Sequence, residues 1–358
     1  MRLIENEFYL NSLKKMIRSF PHWDRLCGKA FLISGVSGMI GSVLTDAIFL
    51  RNELLTPEER TMVIGVGRSK AAAEERFPFW INCPEFRFLE HDVSYPFEQA
   101  IAVPDYVIHA ASTTHPVAYA SNPIDTILTN VQGTRNLLDI CSGMPQCRFL
   151  LLSSVEIYGE NRGDTSAFDE MYCGYLNCNT LRAGYPEAKR VSEALCQAYI
   201  EEKDVDAVIL RLPRCYGPSM RMSDSKAIAQ FIKKAVSREN IILKSEGKQF
   251  YSYAYVFDAV LGILWTLCCG NKGEAYNLSD QQSNIALRDL AELAARSAGT
   301  NVVIDLPDTV EQKGYSTASI AILDSTKLRR LGWKPEFDLS DGLRETIQIV
   351  SELEEKGR

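Results

Sequence analysis

Tyr185 and Lys189 stand four apart in GYPEAKRVSEALC, a spacing that on a helix turns both side chains to one face. An ammonium near a phenol favours the phenolate, so the pair reads as a tyrosine lowered in pKa and ready to exchange a proton with a hydroxyl. A core tyrosine and a solvated lysine show the same spacing. Ser154 stands at the end of the apolar run RFLLLSS, and the C-terminal edge of a parallel sheet is where a binding crevice forms. Its hydroxyl can bond the same reacting oxygen, or simply cap a strand.

A second chemistry lies upstream. FLISGVSGMIGSVLTDAIF places Gly35, Gly38 and Gly41 in a G-x-x-G-x-x-G array between an apolar strand and an amphipathic helix. The first glycine permits a tight turn, the second lets backbone approach a pyrophosphate, and the third allows close helix–strand packing. The helix N-terminus then offers unpaired N–H groups to the anion. A plain turn can carry three glycines too, but the flanking strand and helix favour a nucleotide loop. An acid that binds an adenosine ribose normally follows the second strand. Here the sequence reads Gly65-Val66-Gly67-Arg68-Ser69. Arg68 suits a 2′-phosphate, so NAD(P) is expected with NADP ahead of NAD; stacking on adenine or facing water are its other uses.

Elements must hold these groups in place. From Lys29 the runs AFLIS, MVIGV, FRFLE, YVIHA, RFLLLS and AVILRL alternate with helical patterns at Met39 to Arg51, Asp125 to Cys141 and Tyr185 to Lys203. Nearly continuous apolar strands between helices imply a doubly wound parallel α/β sheet of the Rossmann type. Residues 1–27 are expected to form an appended helical extension, with a helix from Phe8 to Phe20, ahead of a dinucleotide-binding domain at 28–213. Past Pro213 the rhythm loosens, with helices expected at Lys226 to Val236 and Ile285 to Ala298. Residues 214–358 are therefore read as mainly a smaller α/β substrate domain, some segments returning to the first.

Composition agrees. At roughly 150 residues per domain, 358 residues make about two domains. The 39 basic and 46 acidic residues leave a net charge of −7, with no global positive field for nucleic acid or an anionic membrane. The longest uncharged apolar stretch, Ala259 to Cys269, is about half the roughly 20 residues of a spanning helix, and the opening MRLIENEFYL lacks a signal-peptide layout. A cytoplasmic protein is expected. Ten cysteines include no C-x-x-C pair, so reduced thiols are expected and a metal site is not.

Several motifs in order give the chain a family likeness: GVSGMIG, HDV with Asp92, HAAS from His109, NPIDTILTNVQGTRNLL, LLSSVEIYG, YPEAK, RCYGP and DSTKLRRLGWKP. From about Lys29 to Leu343 it resembles an extended short-chain dehydrogenase/reductase of the nucleotide-sugar epimerase, dehydratase and decarboxylase group. The resemblance implies Tyr185 as acid/base, Lys189 on the nicotinamide ribose and Ser154 on the sugar oxygen. It implies Asp92 at adenine and Ala110 and Ala111 along the cofactor. Met39, Ile40, Val93, Ser112 and Asn130 join the implied cofactor-binding set. Glu156 matches the glutamate of the S/T-x-E-x-Y-G pattern of UDP-glucuronate decarboxylases and 4,6-dehydratases. A ketone acidifies its neighbouring C–H, so that carboxylate can take the C5 proton, or it can make a structural strand-end bond. Val155 stands where dTDP-glucose-type dehydratases usually carry an aspartic acid. Arg182, Tyr185 and Lys189 are spaced as in the decarboxylases.

Two departures bear on the substrate. Arg214 stands where relatives have asparagine before the Y-G-P turn, and Tyr251-Ser252-Tyr253 replaces their R-x-F. Arg214 is a candidate to replace the lost cation from another backbone position. Without the usual arginine, plain glucuronate decarboxylation is a doubtful fit. Tyr251, Tyr253 and Tyr255 either stack on substrate or pack.

The leading expectation is an NAD(P)-dependent epimerase, dehydratase or decarboxylase of a nucleotide sugar. It would oxidise C4 through Tyr185 and Lys189, use Glu156 on the keto intermediate and bind substrate through Ser154, Glu156, Arg214 and Tyr251. An NADPH-dependent reductase of a nucleotide-linked keto sugar or polyol is the other enzymatic reading, and a non-catalytic nucleotide-binding protein the reading from a different class. Relatives form homodimers through helices matching Asp125 to Cys141 and Tyr185 to Lys203.

Overall fold

A computed structural model describes residues 2–98, 103–112, 114, 121–144, 146–305 and 319–357. The chain opens with α1 (Glu7–Ser19), β1 (Ala30–Ser34), α2 (Met39–Asn52), β2 (Met62–Gly67), α3 (Lys70–Arg76), β3 (Phe86–Glu90) and β4 (Tyr106–His109). It continues through α4 (Pro123–Ser142), β5 (Arg148–Ser154), α5 (Gly184–Lys203), β6 (Asp206–Leu212), β7 (Arg214–Tyr216), α6 (Ala227–Val236), β8 (Ile241–Leu243) and β9 (Phe250–Tyr255). Then come α7 (Val256–Cys269), β10 (Ala275–Asn277), β11 (Asn284–Ala286), α8 (Leu287–Ala298), β12 (Val302–Ile304), β13 (Ile320–Ala321), α9 (Thr326–Arg330) and α10 (Leu339–Gly357).

Seven strands form one parallel sheet in the order β10-β6-β5-β4-β1-β2-β3. Phe31, Leu32 and Ile33 of β1 and Phe149, Leu150 and Leu151 of β5 are all fully buried, as strands covered on both faces require. The order reverses between β1 and β4, so the C-terminal ends of these two strands and of β5 open on one crevice. β11, β7 and β13 gather around β9 in a second, smaller sheet, and β12 pairs with β8. One expectation changes here. The helix read from Ile285 starts at Leu287, because Asn284, Ile285 and Ala286 pair antiparallel with Ser252, Tyr251 and Phe250; three residues of edge pairing outweigh a helical pattern that reached across them.

Apart from Asp258 and Thr266, α7 is apolar, and it is buried from Val256 to Leu267, the character of a helix inside a protein. Among the described residues no helix is long and apolar enough to cross a membrane.

The amino-terminal helix buries Tyr9, Leu13 and Met16 and leaves Phe8 exposed. Its polar anchors were invisible in the sequence. The Tyr9 hydroxyl donates to Asp46 Oδ2 at 2.6 Å, in the middle of α2, and Arg76 Nη2 and Trp80 Nε1 donate to the same carboxylate at 2.6 and 3.0 Å. Ser12 Oγ donates to Glu345 Oε1 at 2.5 Å and Asn6 Nδ2 to Glu352 Oε2 at 2.9 Å, both on α10. α1 thus ties the helix that follows the glycine loop to the last helix of the chain. A buried ion pair of this kind costs about 3–5 kcal/mol when one partner is removed, because the other charge stays buried alone.

Candidate functional site

The glycine loop is shaped by close approach. Gly35 has φ +70°, and a Cβ there would meet the backbone of Ala110 and Ala111 at 2.8–2.9 Å. At Gly41 a Cβ would come within 2.7 Å of the Gly35 carbonyl oxygen. Gly38 N donates to that same oxygen at 2.8 Å and Gly38 caps α2, which leaves the first-turn amides of Met39 and Ile40 outside the helical ladder. This bare helix end, kept open by residues without side chains, fits a dinucleotide pyrophosphate. Ala111 N donates to Ser34 Oγ at 3.2 Å, and Ser34 Oγ lies 2.8 Å from His109 Nδ1. Burial pushes His109 down to about 3, so the ring is neutral.

A cavity of about 1000 Å³ runs from this loop into the second sheet. Met39, Ile40, Ala110 and Ser112 line the loop end; Ser154, Glu156, Tyr185 and Lys189 line the middle; Arg214 and Tyr251 stand beyond them. Residues far apart in sequence therefore share one chamber. Gly35, Gly38, Gly41, Arg68, Asp92, Val93, Ala111 and Asn130 are not in its wall. Arg68 is exposed just past β2. Asp92 lies below the usual carboxylate range: partial burial raises it, but hydrogen bonds from Ser94 and the charges of Arg68 and His91 outweigh that. Val93 is buried, and Asn130 is buried with its Oδ1 accepting from Ser112 Oγ at 3.0 Å.

α5 carries the central pair. Ala188, Glu187 and Leu195 are helix formers, Pro186 falls in the first turn where a missing N–H is harmless, and Asp204 ends the helix with φ +56°. Tyr185 and Lys189 are both buried on one face. The electrostatics depart from the spacing argument. Lys189 Nζ donates to the Leu152 carbonyl at 2.7 Å, on β5. Burial lowers Lys189 to about 8, against the pull of Glu193. Tyr185 is pushed up to about 12 by burial, pulled back by a hydrogen bond with Ser154, raised by Glu156 and lowered by Arg182. The expected lowering of Tyr185 by Lys189 is thus replaced by a net rise, since desolvation of a buried phenol outweighs its cationic neighbours.

Glu156 sits in the short turn after β5, its N–H donating to Ser154 Oγ at 3.3 Å. Its carboxylate is held between two cations: Arg182 Nη2 donates to Oε2 at 2.7 Å, and Arg214 Nη2 is 3.9 Å from Oε1. The Arg214 guanidinium lies 3.5 Å above the Tyr251 ring, close enough for cation–π attraction. Arg214 Nη1 is buried with no hydrogen-bond partner among the described residues. Tyr253 and Tyr255 are buried packing residues, although Tyr253 also touches the cavity wall. The expectations did not include Arg182 among the site residues, nor the far wall of Ile228, Phe231, Leu243 and Leu287; the strong apolar face of α6 was the one available signal for the latter.

A family model described as "NAD dependent epimerase/dehydratase family" matches residues 31–279. The chain belongs to that family. It is 31% identical over 327 residues to UDP-glucuronic acid decarboxylase 1 of Danio rerio, covering 91% of this chain and 74% of the relative. UDP-glucuronic acid decarboxylase 3 of Arabidopsis thaliana is 31% identical over 317 residues, covering 87% of this chain and 86% of its own. Among solved structures, a UDP-glucose 4-epimerase of Thermotoga maritima superposes with TM-score 0.76 at 22% identity, covering 90% of this chain and 99% of that one. A dTDP-glucose 4,6-dehydratase of Bacillus anthracis, solved in complex with NAD, does so with TM-score 0.74 at 18% identity, covering 91% and 98%. These two likenesses show the fold. This member of the epimerase/dehydratase family is an NAD(P)-dependent enzyme of the nucleotide-sugar class.

Proposed function

We propose that the chain decarboxylates a nucleotide-linked uronic acid, such as UDP-glucuronic acid. The observation that carries this reading is the convergence of Arg182 and Arg214 on Glu156 inside the cavity beside Tyr185. The usual arginine is absent at position 251, yet a guanidinium lies over Tyr251, with a buried N–H group to spare for a carboxylate. The two decarboxylase relatives support the same substrate class.

A bound nicotinamide supplies the hydride acceptor for C4. The chain's own residues do the rest. Ser154 hydrogen-bonds the C4 oxygen and Tyr185 takes its proton, while Lys189 holds the cofactor ribose. The ketone formed at C4 stands β to the C6 carboxylate, so the C5–C6 electron pair moves onto the ketone as carbon dioxide leaves. Arg182 and Arg214 would orient the departing carboxylate and Glu156 would handle the proton that C5 then takes up; as the hydride comes back to C4, Tyr185 would return its proton to the C4 oxygen, so that a hydroxyl is restored there and the cofactor ends as it began. The purified protein given UDP-glucuronic acid should release carbon dioxide and a nucleotide-linked pentose with no net change in nicotinamide absorbance. An intact C4-epimeric uronate as sole product would replace decarboxylation with epimerisation, and stoichiometric cofactor consumption would favour a reductase.

For the cofactor we infer NADP ahead of NAD, because no acid follows β2 and the exposed Arg68 stands beside Asp92. Titration of the protein with each cofactor should give the tighter constant for NADP; tighter NAD binding would overturn the preference. The exposed Ile124, Ile127 and Leu128 of α4 and Val191 of α5 also suit pairing of two copies through these helices, which Ser192 Oγ ties together at Asn130 O, 3.0 Å away.

A further inference from the structure

α5 carries a third group on the face of its catalytic pair. Glu193 follows Lys189 by four residues, as Lys189 follows Tyr185. Its carboxylate is fully engaged: Arg211 of β6 donates Nε to Oε1 at 3.0 Å and Nη2 to Oε2 at 2.7 Å, and Ser153 Oγ donates to Oε1 at 2.5 Å. Arg211 also donates Nη1 to the Tyr158 hydroxyl and the Glu170 carbonyl, both at 2.8 Å. Ser153 directly precedes Ser154. One carboxylate therefore fastens the tyrosine–lysine helix to the ends of β5 and β6, and it places a fixed negative charge one helical turn from a buried ammonium.

We propose that Glu193 is a positioning residue that keeps Lys189 charged and holds Tyr185 and Ser154 in register. This rests on the catalytic roles given above to Tyr185, Ser154 and Lys189. The surroundings of Lys189 leave the task to Glu193. Tyr185 and Cys196 share its helix, His109 faces it from β4 as a neutral ring, and β5 contributes the Leu152 carbonyl. Among the described residues Glu193 is the one carboxylate acting on Lys189. Without it a lysine buried to this degree sheds its proton more readily, because nothing offsets the cost of desolvating the charge.

The direct test is NMR of protein labelled with 13Cε-lysine, the Lys189 signal being identified by its loss in Lys189→Met. In the wild-type protein it should titrate near pH 8. In Glu193→Gln the midpoint should fall, so that less than half of Lys189 is protonated at pH 8, and Glu193→Asp, which keeps the charge, should restore most of it. Should Glu193→Gln leave Arg211 unpaired and fail to fold, the double variant Glu193→Gln/Arg211→Met is compared with Arg211→Met, so that the arginine's charge is absent from both, and the midpoint should be lower in the double variant. An unmoved midpoint in whichever variant folds overturns the proposal. The pH profile of kcat/KM is the second readout: its alkaline limb should move down in step with the NMR midpoint. A shifted midpoint with an unshifted profile would retain the electrostatic link and overturn the catalytic role of Lys189 instead.

Discussion

Tyr185→Phe is expected to lower kcat by about 10²- to 10⁴-fold, the range for loss of a positioned acid/base, with cofactor affinity unchanged. The phenol is buried at the centre of the cavity and bonded to Ser154, and Phe keeps the ring and its packing while deleting the reacting atom. The pH dependence sharpens the expectation. Burial holds the hydroxyl up at about 12, so the protonated form prevails at neutral pH and the share able to accept a proton grows with every rise in pH. Below the pH at which Lys189 loses its charge, near 8, the wild-type rate should therefore climb with pH. The residual activity of the variant should lack that climb. Steady-state rates across pH, with a parallel cofactor titration, check both statements. A kcat within tenfold of wild type would remove Tyr185 from the chemistry.

Much of this site could be read in the sequence because it is written locally. The spacing of four from Tyr185 to Lys189 dictates a shared helix face, and the seven residues from Arg148 to Ser154 dictate a buried strand ending in the crevice. Gly35 was legible for a similar reason, since a tight turn between strand and helix demands a positive φ. What stayed hidden is chemistry made by distant partners. Asp46 looks like an odd polar residue inside an apolar helix until Tyr9 and Arg76, 37 and 30 residues away, meet at its carboxylate. Glu156 and Arg182 are 26 apart and joined only by the fold. The sign of the Tyr185 shift was also beyond reach, because spacing reports which charges are near and not how much water has been excluded. Ile285 failed in the opposite sense: its helical pattern was real, but pairing with Tyr251 claimed it first.

Arg214→Ala should lower kcat/KM for a nucleotide-linked uronate about 10- to 100-fold, the loss expected for charge-assisted hydrogen bonds to a carboxylate. Most of the effect should fall in KM, because Tyr185 and Ser154 are untouched. The same variant should change little for an analogue with a CH₂OH group in place of the carboxylate, and comparing the two substrates separates recognition of the acid from general damage. Equal losses on both would move Arg214 from the acid to the diphosphate that they share. The geometry also allows a relocation. β7 and β9 pair with Arg214 opposite Tyr253, and the Arg214 side chain leans back over Tyr251, so positions 214 and 251 address one patch of cavity from adjacent strands. Arg214→Asn should be as damaging as alanine, since an amide carries no charge. Combining it with Tyr251→Arg returns a cation to that patch from the other strand and should recover kcat/KM to within about tenfold of wild type. Rescue means that the cavity needs a guanidinium at that place, whichever strand provides it; a double variant no better than Arg214→Asn would tie recognition to the stacked Arg214–Tyr251 pair itself.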